Sequence, residues 1–191
     1  NTGIAIAGLA NALGVPVEIV ISENTPEEKK VMLRLLGATV TEVSDSICPR
    51  FPNEGARGLV SAMVRSPRTR DKYISPNQYE NELNVLAHYR TTGPEIWRQT
   101  KGKVTHFFAG MGTGGTITGI GRFLKEQNPA VQIIAIEPSV TETRLSGLRQ
   151  ISTLPEEYSP KLVDRSVIDD VVAVDDDDAY RTAVELARQD G

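Results

Sequence analysis

Short β-branched or apolar runs alternate along the chain with segments whose apolar residues recur at helical spacing, and this alternation predicts the elements. Residues 4–13 (IAIAGLANAL) are apolar and small on nearly every side, which suits a helix buried on more than one face, with Gly14 as its stop. VEIVI, residues 17–21, has the length and β-branched content of a buried parallel strand. The next helix is punctuated throughout: Thr25 at the N-cap, Pro26 in the first turn, Glu28 in capping-box position and Gly37 as the stop. Its inward face is expected to be Val31, Met32, Leu35 and Leu36. A strand over 38–43, a helix over 53–65 and a short strand around Tyr73 follow.

Residues 75–84, SPNQYENELN, are polar and rich in turn formers, and they place a domain boundary: residues 1–80 as one part, 81–191 as the other. Beyond it come helices over 84–90 and 93–100, a strand over 104–109, a helix over 115–127, a strand over 131–137, a strand over 170–174 and a helix over 176–189. Strands alternating with helices imply an α/β chain with a parallel sheet covered on both faces. The irregular stretch 138–169 exceeds ordinary connector length, so it is expected to be functional or to pack at an interface. The chain lacks an initiator Met, enters a helix directly at Asn1-Thr2-Gly3 and stops at a C-cap-like Gly191, so it is expected to be an internal fragment.

Composition removes several classes of function. With 21 basic against 25 acidic residues among 191 and a net charge of −4, the chain shows no basic stripe for nucleic acid or an anionic membrane. No run approaches the roughly 18 apolar residues of a spanning helix, and a cytoplasmic location is expected. One cysteine, Cys48, excludes an internal disulfide and a cysteine metal cluster; it is read as a passive thiol. Asp175 to Asp178 stand where a helix begins, so capping and dipole complementarity explain them and no metal site is assigned. His88 and His106 belong to no recognisable triad motif and are read as structural.

Three segments carry candidate chemistry. VTHFFAGMGTGGTITGIGRFLKE, residues 104–126, delivers a strand to Gly110, turns through glycines and opens a helix whose apolar face is Ile117, Ile120, Gly121 and Leu124. Unpaired N–H groups at the helix start, with the hydroxyls of Thr113 and Thr116, suit a phosphate. The same letters satisfy G-x-G-x-x-G through Gly110, Gly112 and Gly115, and Glu137 ends the next strand where a dinucleotide site places its ribose acid, so the loop alone leaves two owners open. Asn1-Thr2-Gly3 offers an amide, a hydroxyl and backbone N–H groups to a carboxylate or phosphate, or simply caps a helix. Gln78 in PNQYEN offers an amide to a carboxylate, or ties down a turn.

In order and spacing, NTGIAIAGLANALG, PNQYEN and GMGTGGTITGIGRFLKE resemble the fold-type II pyridoxal-phosphate enzymes. The likeness is greatest to the cysteine synthase and cystathionine β-synthase family, and HYRTTGPEIWRQTKGKVTHFFAGMGTGGTITG carries it continuously. The resemblance implies two Rossmann-like, three-layer αβα subdomains with mainly parallel sheets, both incomplete here, the first smaller and mobile. It implies pyridoxal 5'-phosphate as cofactor, its phosphate held by Gly112, Thr113, Gly114, Gly115 and Thr116. Asn1 would bind the cofactor's 3′-oxygen and, with Thr2 and Gln78, the amino-acid carboxylate. The cofactor-holding lysine is expected upstream of Asn1, so no catalytic residue is assigned in this chain.

The implied reaction replaces the β-substituent of O-acetylserine or O-phosphoserine with sulfide to give cysteine, in a homodimer; cystathionine β-synthase chemistry is the alternative. GLRQISTLPEEYSPKLVD resembles the cysteine synthase B branch, with Arg149 as a reader of the donor's leaving group. NPAN, usual in the family, is here Asn81-Glu82-Leu83-Asn84, which leaves the subfamily open. From other classes, a nucleotide-binding oxidoreductase domain and a non-catalytic remnant stay in play.

Overall fold

The computed structural model describes residues 1–44, 55–145, 147–154 and 159–191. Within them the chain divides into two compact units, Asn1–Pro76 and Asn77–Gly191. Cys48, the start of the helix expected over 53–65, and part of the GLRQISTLPEEYSPKLVD segment lie outside the described residues.

The first unit runs α1 (Thr2–Ala12), β1 (Glu18–Ser22), α2 (Glu27–Leu35), β2 (Thr39–Val43) and α3 (Gly55–Arg65). The two strands pair in parallel with Glu18 opposite Thr39. Ala7, Leu33 and Ala38 form the core, with Ile4, Ile19 and Val40 packed on it. Small residues on α1 let the helix lie close to the strands: a Cβ on Gly3 would stand 3.3 Å from Ile19 Cγ2.

The first helix is not buried on more than one face, since α1 buries only Ala7 and Ala10 and leaves Leu9 and Leu13 exposed, and three further expectations fail in this unit. Pro26, not Thr25, stands at the N-cap of α2, its carbonyl accepting the Lys29 N–H at 3.0 Å, and no side-chain cap bond forms there. The buried face of α2 is Lys30 and Leu33, whereas Val31, Met32 and Leu35 are exposed, Leu35 to 75%. The reason is the Lys30 ammonium, which donates to Glu42 Oε2 at 2.7 Å and the Glu23 carbonyl at 2.8 Å. A paired lysine is turned to the sheet, and the helix rotates with it. No strand forms around Tyr73. Its hydroxyl donates instead to Glu18 Oε2 at 2.9 Å, a carboxylate whose other oxygen accepts from Thr41.

The second unit runs α4 (Leu83–Ala87), a π-turn (His88–Thr92), α5 (Gly93–Gln99), β3 (His106–Gly110), α6 (Gly115–Gln127), β4 (Gln132–Pro138), a 3₁₀ turn (Arg165–Val167), β5 (Asp170–Val174) and α7 (Asp176–Gln189). The sheet order is β3-β4-β5, all parallel, with Phe107 opposite Ile133 and Ala135 opposite Val171. Ile117, Ile120 and Leu124 of α6 bury against Val131, Ile133 and Ala135, so the helical face read from the sequence is the core face.

The helices expected over 84–90 and 93–100 are one continuous helical run, widened in the middle. The Gly93 N–H bonds the His88 carbonyl in an i to i−5 bond. Pro94 lacks an N–H and its ring crowds the preceding turn, and the wider π-turn accommodates both. Gly93 itself is needed here, because a Cβ would stand 2.9 Å from Phe123 Cβ.

The described part of the stretch 138–169 is irregular apart from the 3₁₀ turn, and side chains of α6 fasten it. Buried Thr118 donates to the Leu162 carbonyl at 2.8 Å and accepts from the Asp164 N–H at 3.0 Å. Arg122 pairs with Asp164, and Lys125 with Asp169. The acidic run caps α7 as expected: Asp175 accepts from the Asp177 N–H at 2.8 Å, and Asp176 from the Thr143 hydroxyl and Arg144 N–H, both at 2.6 Å. Among the described residues no cluster of metal-ligating side chains exists, and no helix is long and apolar enough to cross a membrane.

Candidate functional site

The parallel sheet of the second unit determines where a ligand would be received. β3 and β4 end on the same edge, at Gly110 and Pro138, and the segments that follow the carboxyl ends of parallel strands form the crevice in such sheets. Met111, 2% exposed, continues the ladder with its N–H on the Ile136 carbonyl at 2.9 Å. The chain then turns through Gly112, Thr113 and Gly114 into α6.

Gly114 is the N-cap of α6 at φ +87, a left-handed conformation that a side chain would strain. The surrounding protein closes the loop on three sides. A Cβ on Gly112 would stand 2.9 Å from the Gly147 carbonyl, one on Gly114 2.3 Å from Val163 Cγ2, and one on Gly115 2.2 Å from Asn84 Oδ1. The glycines are therefore dictated by packing as well as by any ligand. Among the described residues the N–H groups of Gly112, Thr113 and Gly114 meet no protein acceptor. The first N–H groups of α6 have none within their own helix. This nest of donors at the positive end of a thirteen-residue helix fits a phosphate, and Thr116, exposed beside it, adds a hydroxyl.

Gln78 and Arg149 are brought to the same loop. Gln78 follows Asn77, which takes a left-handed turn at φ +45. Its carbonyl accepts from Asn84 Nδ2 at 2.9 Å, and the same amide nitrogen donates to Thr113 Oγ1 at 3.1 Å. Asn84 thus ties the Gln78 turn to the loop. Arg149 donates its backbone N–H to the Met111 carbonyl at 2.9 Å, and Leu148 packs where a Cβ on Gly110 would fall. Asn1 and Thr2 belong to the first unit. Asn1 stands at the N-cap of α1 but makes no side-chain cap bond, so simple capping does not account for its amide.

Glu137, offered by the sequence as a ribose acid, and His88, read as structural, have defined roles. Glu137, 3% exposed, accepts from the Ile151 N–H at 2.7 Å, the Ser152 N–H at 2.9 Å and the Ser152 hydroxyl. A carboxylate so engaged is withdrawn from a ribose, which removes the acid that a dinucleotide site needs. His88 places Nε2 3.2 Å from Thr116 Oγ1 and Nδ1 3.0 Å from Thr92 Oγ1. Burial pushes its imidazole below the usual value, which favours the neutral ring. His106 meets only the neighbouring Thr105 hydroxyl and the Phe108 ring among the described residues. Asn84 and His88 were missed as site residues because no motif letter marks them; the signal available was their helical spacing, four apart.

Comparisons with known proteins give the same direction. The family described as pyridoxal-phosphate dependent enzyme matches residues 1–191. A cysteine synthase of Aquifex aeolicus is 41% identical over 190 residues, covering 100% of this chain and 55% of the relative. A cysteine synthase B of Pseudomonas aeruginosa is 41% identical over 191 residues, covering 100% of this chain and 60% of the relative. The crystal structure of a cysteine synthase from Entamoeba histolytica superposes with a TM-score of 0.80 at 28% identity, covering 100% of this chain and 55% of that one. The chain thus spans a little over half the length of the curated relatives it matches.

Proposed function

Since the chain belongs to the pyridoxal-phosphate-dependent enzyme family, we propose that its parent protein is a cysteine synthase, replacing the β-substituent of an activated serine with sulfide. The observation that carries this reading is the closed glycine nest at the start of α6, with its free amides and two threonines. In that nest Gly112 to Thr116 would hold the cofactor's phosphate dianion. The cofactor, when bound, supplies an electron sink for the carbanion formed at the amino acid's α-carbon.

The chain's own residues bind and orient. In the first unit Asn1 would hold the cofactor's 3′-oxygen and the substrate carboxylate, and Thr2 would donate to that carboxylate, as the family's pattern implies. In the second, Gln78 does the same from a turn that Asn84 fixes against Thr113. Arg149, anchored beside Met111, reads the leaving group. The first unit, expected to end at residue 80 and ending at Pro76, is part of a smaller, mobile domain and the second part of a larger one, in a cytoplasmic homodimer.

The test uses the full-length protein loaded with pyridoxal phosphate. Cysteine formed from O-acetylserine or O-phosphoserine with sulfide supports the reading, and Arg149→Ala should selectively weaken use of O-phosphoserine. Turnover of serine with homocysteine in place of sulfide would move the assignment to cystathionine synthesis. Loaded protein that turns over neither nucleophile would overturn it.

A further inference from the structure

The bond between His88 and Thr116 carries a consequence for the loop that follows from counting protons. Thr116 has one hydroxyl hydrogen, and a phosphate dianion offers acceptors alone, so the hydroxyl serves the anion only when that hydrogen points at it. Burial favours the neutral His88 ring, which carries one N–H, on Nδ1 or on Nε2, with a threonine hydroxyl beside each nitrogen. With the proton on Nδ1, bare Nε2 takes the Thr116 hydrogen and the hydroxyl turns away from the loop. With the proton on Nε2, the ring donates to Thr116 Oγ1 and frees the hydrogen.

Thr92 completes the second arrangement. Its hydroxyl stands 3.0 Å from Nδ1. Unlike Thr91, whose hydroxyl donates to the Ala87 carbonyl at 2.8 Å, it reaches no backbone carbonyl among the described residues. It is therefore free to donate to Nδ1. The π-turn is what aims these groups: it carries His88 and Thr92 on one wall and lies against α6, whose first turn bears Thr116.

We propose that His88 is a positioning residue for the phosphate loop. The Thr92 hydroxyl donates to Nδ1, Nε2–H donates to Thr116 Oγ1, and the Thr116 hydrogen is thereby directed to the cofactor's phosphate. The chain of donors runs one way, and each member polarises the next. This proposal rests on the loop being the phosphate site, and its test separates the two.

The experiment titrates the full-length apoprotein with pyridoxal 5'-phosphate and with pyridoxal, which lacks the phosphate. The ratio of the two dissociation constants isolates the phosphate's share of binding. His88→Leu removes both ring nitrogens, whereas His88→Gln retains an N–H at about the place of Nε2. The ratio should fall about tenfold in His88→Leu, the size of one net hydrogen bond to a charged group. It should return to within about threefold of wild type in His88→Gln, by the same reckoning. Pyridoxal itself should bind all three proteins equally.

Nitrogen-15 spectra of the His88 ring give a second readout and should show the Nε2–H tautomer when pyridoxal phosphate is bound. An unchanged ratio in His88→Leu, an Nδ1–H ring in the loaded protein, or equal weakening of pyridoxal and its phosphate would overturn the proposal. A wild-type protein that holds pyridoxal as tightly as its phosphate overturns the reading of the loop itself, and the proposal with it.

Discussion

At the residue scale, the loop is built from amides and glycines whose neighbours decide their identity. Asn84 is the clearest case: one side-chain nitrogen reaches both the Gln78 carbonyl and Thr113 Oγ1. Asn84→Ala should raise the KM for the amino-acid donor and the dissociation constant of pyridoxal phosphate together, each about tenfold, the yield of about 1.4 kcal/mol. Steady-state kinetics and cofactor titration check this, and a change in neither would mean that the bridge does not position Gln78. Gly119 shows the packing side of the same design, since a Cβ there would stand 2.3 Å from the Val85 carbonyl. Gly119→Ala should destabilise the protein by about 2 to 3 kcal/mol in urea unfolding. Gly121→Ala, with 3.1 Å to a movable Val167 methyl, should cost less. The glycine letters were legible as a turn, but their neighbours were not, because Val85, Val163 and Gly147 come from three other segments that no local pattern links to the loop.

At the element scale, regular segments were read well wherever local chemistry and burial agreed. α6 stands over the residues expected because its apolar face is buried, and α7 because Asp175 caps it, although the apolar side chains of α7 are exposed. α2 did not, because a paired Lys30 occupies its buried face and a sequence reading puts lysine in solvent. The helical run from Leu83 to Gln99 was read as two helices, 84–90 and 93–100, where the chain instead widens by one π-turn over His88–Thr92.

The start of α7 allows a pH prediction. The Thr143 hydroxyl, then the Arg144 N–H, hold the Asp176 carboxyl below the usual carboxylate range. A depressed folded value means that this stabilisation is fully present above about pH 4 and is lost as the pH falls through the folded value. Asp176→Asn should lower the melting temperature at neutral pH and flatten its decline in acid. Parallel melting curves for variant and wild type across the acid range would contradict this.

At the scale of the whole molecule, the two units are parallel α/β layers of ordinary kind, and the function rests on what the strand ends carry. The alternation of strands and helices made that architecture legible, and the match over residues 1–191 places the chain in its family. Owner of the loop was the harder question, since G-x-G-x-x-G fits two cofactors. Glu137 decides against the dinucleotide, because its carboxylate is spent on Ile151 and Ser152. The most direct measurement is a crystal structure of the full-length protein grown with pyridoxal phosphate. The phosphate oxygens should lie within hydrogen-bond distance of the Gly112 to Thr116 amides and the Thr116 hydroxyl, with His88 Nε2 behind that hydroxyl. A phosphate seated away from this loop would contradict the account.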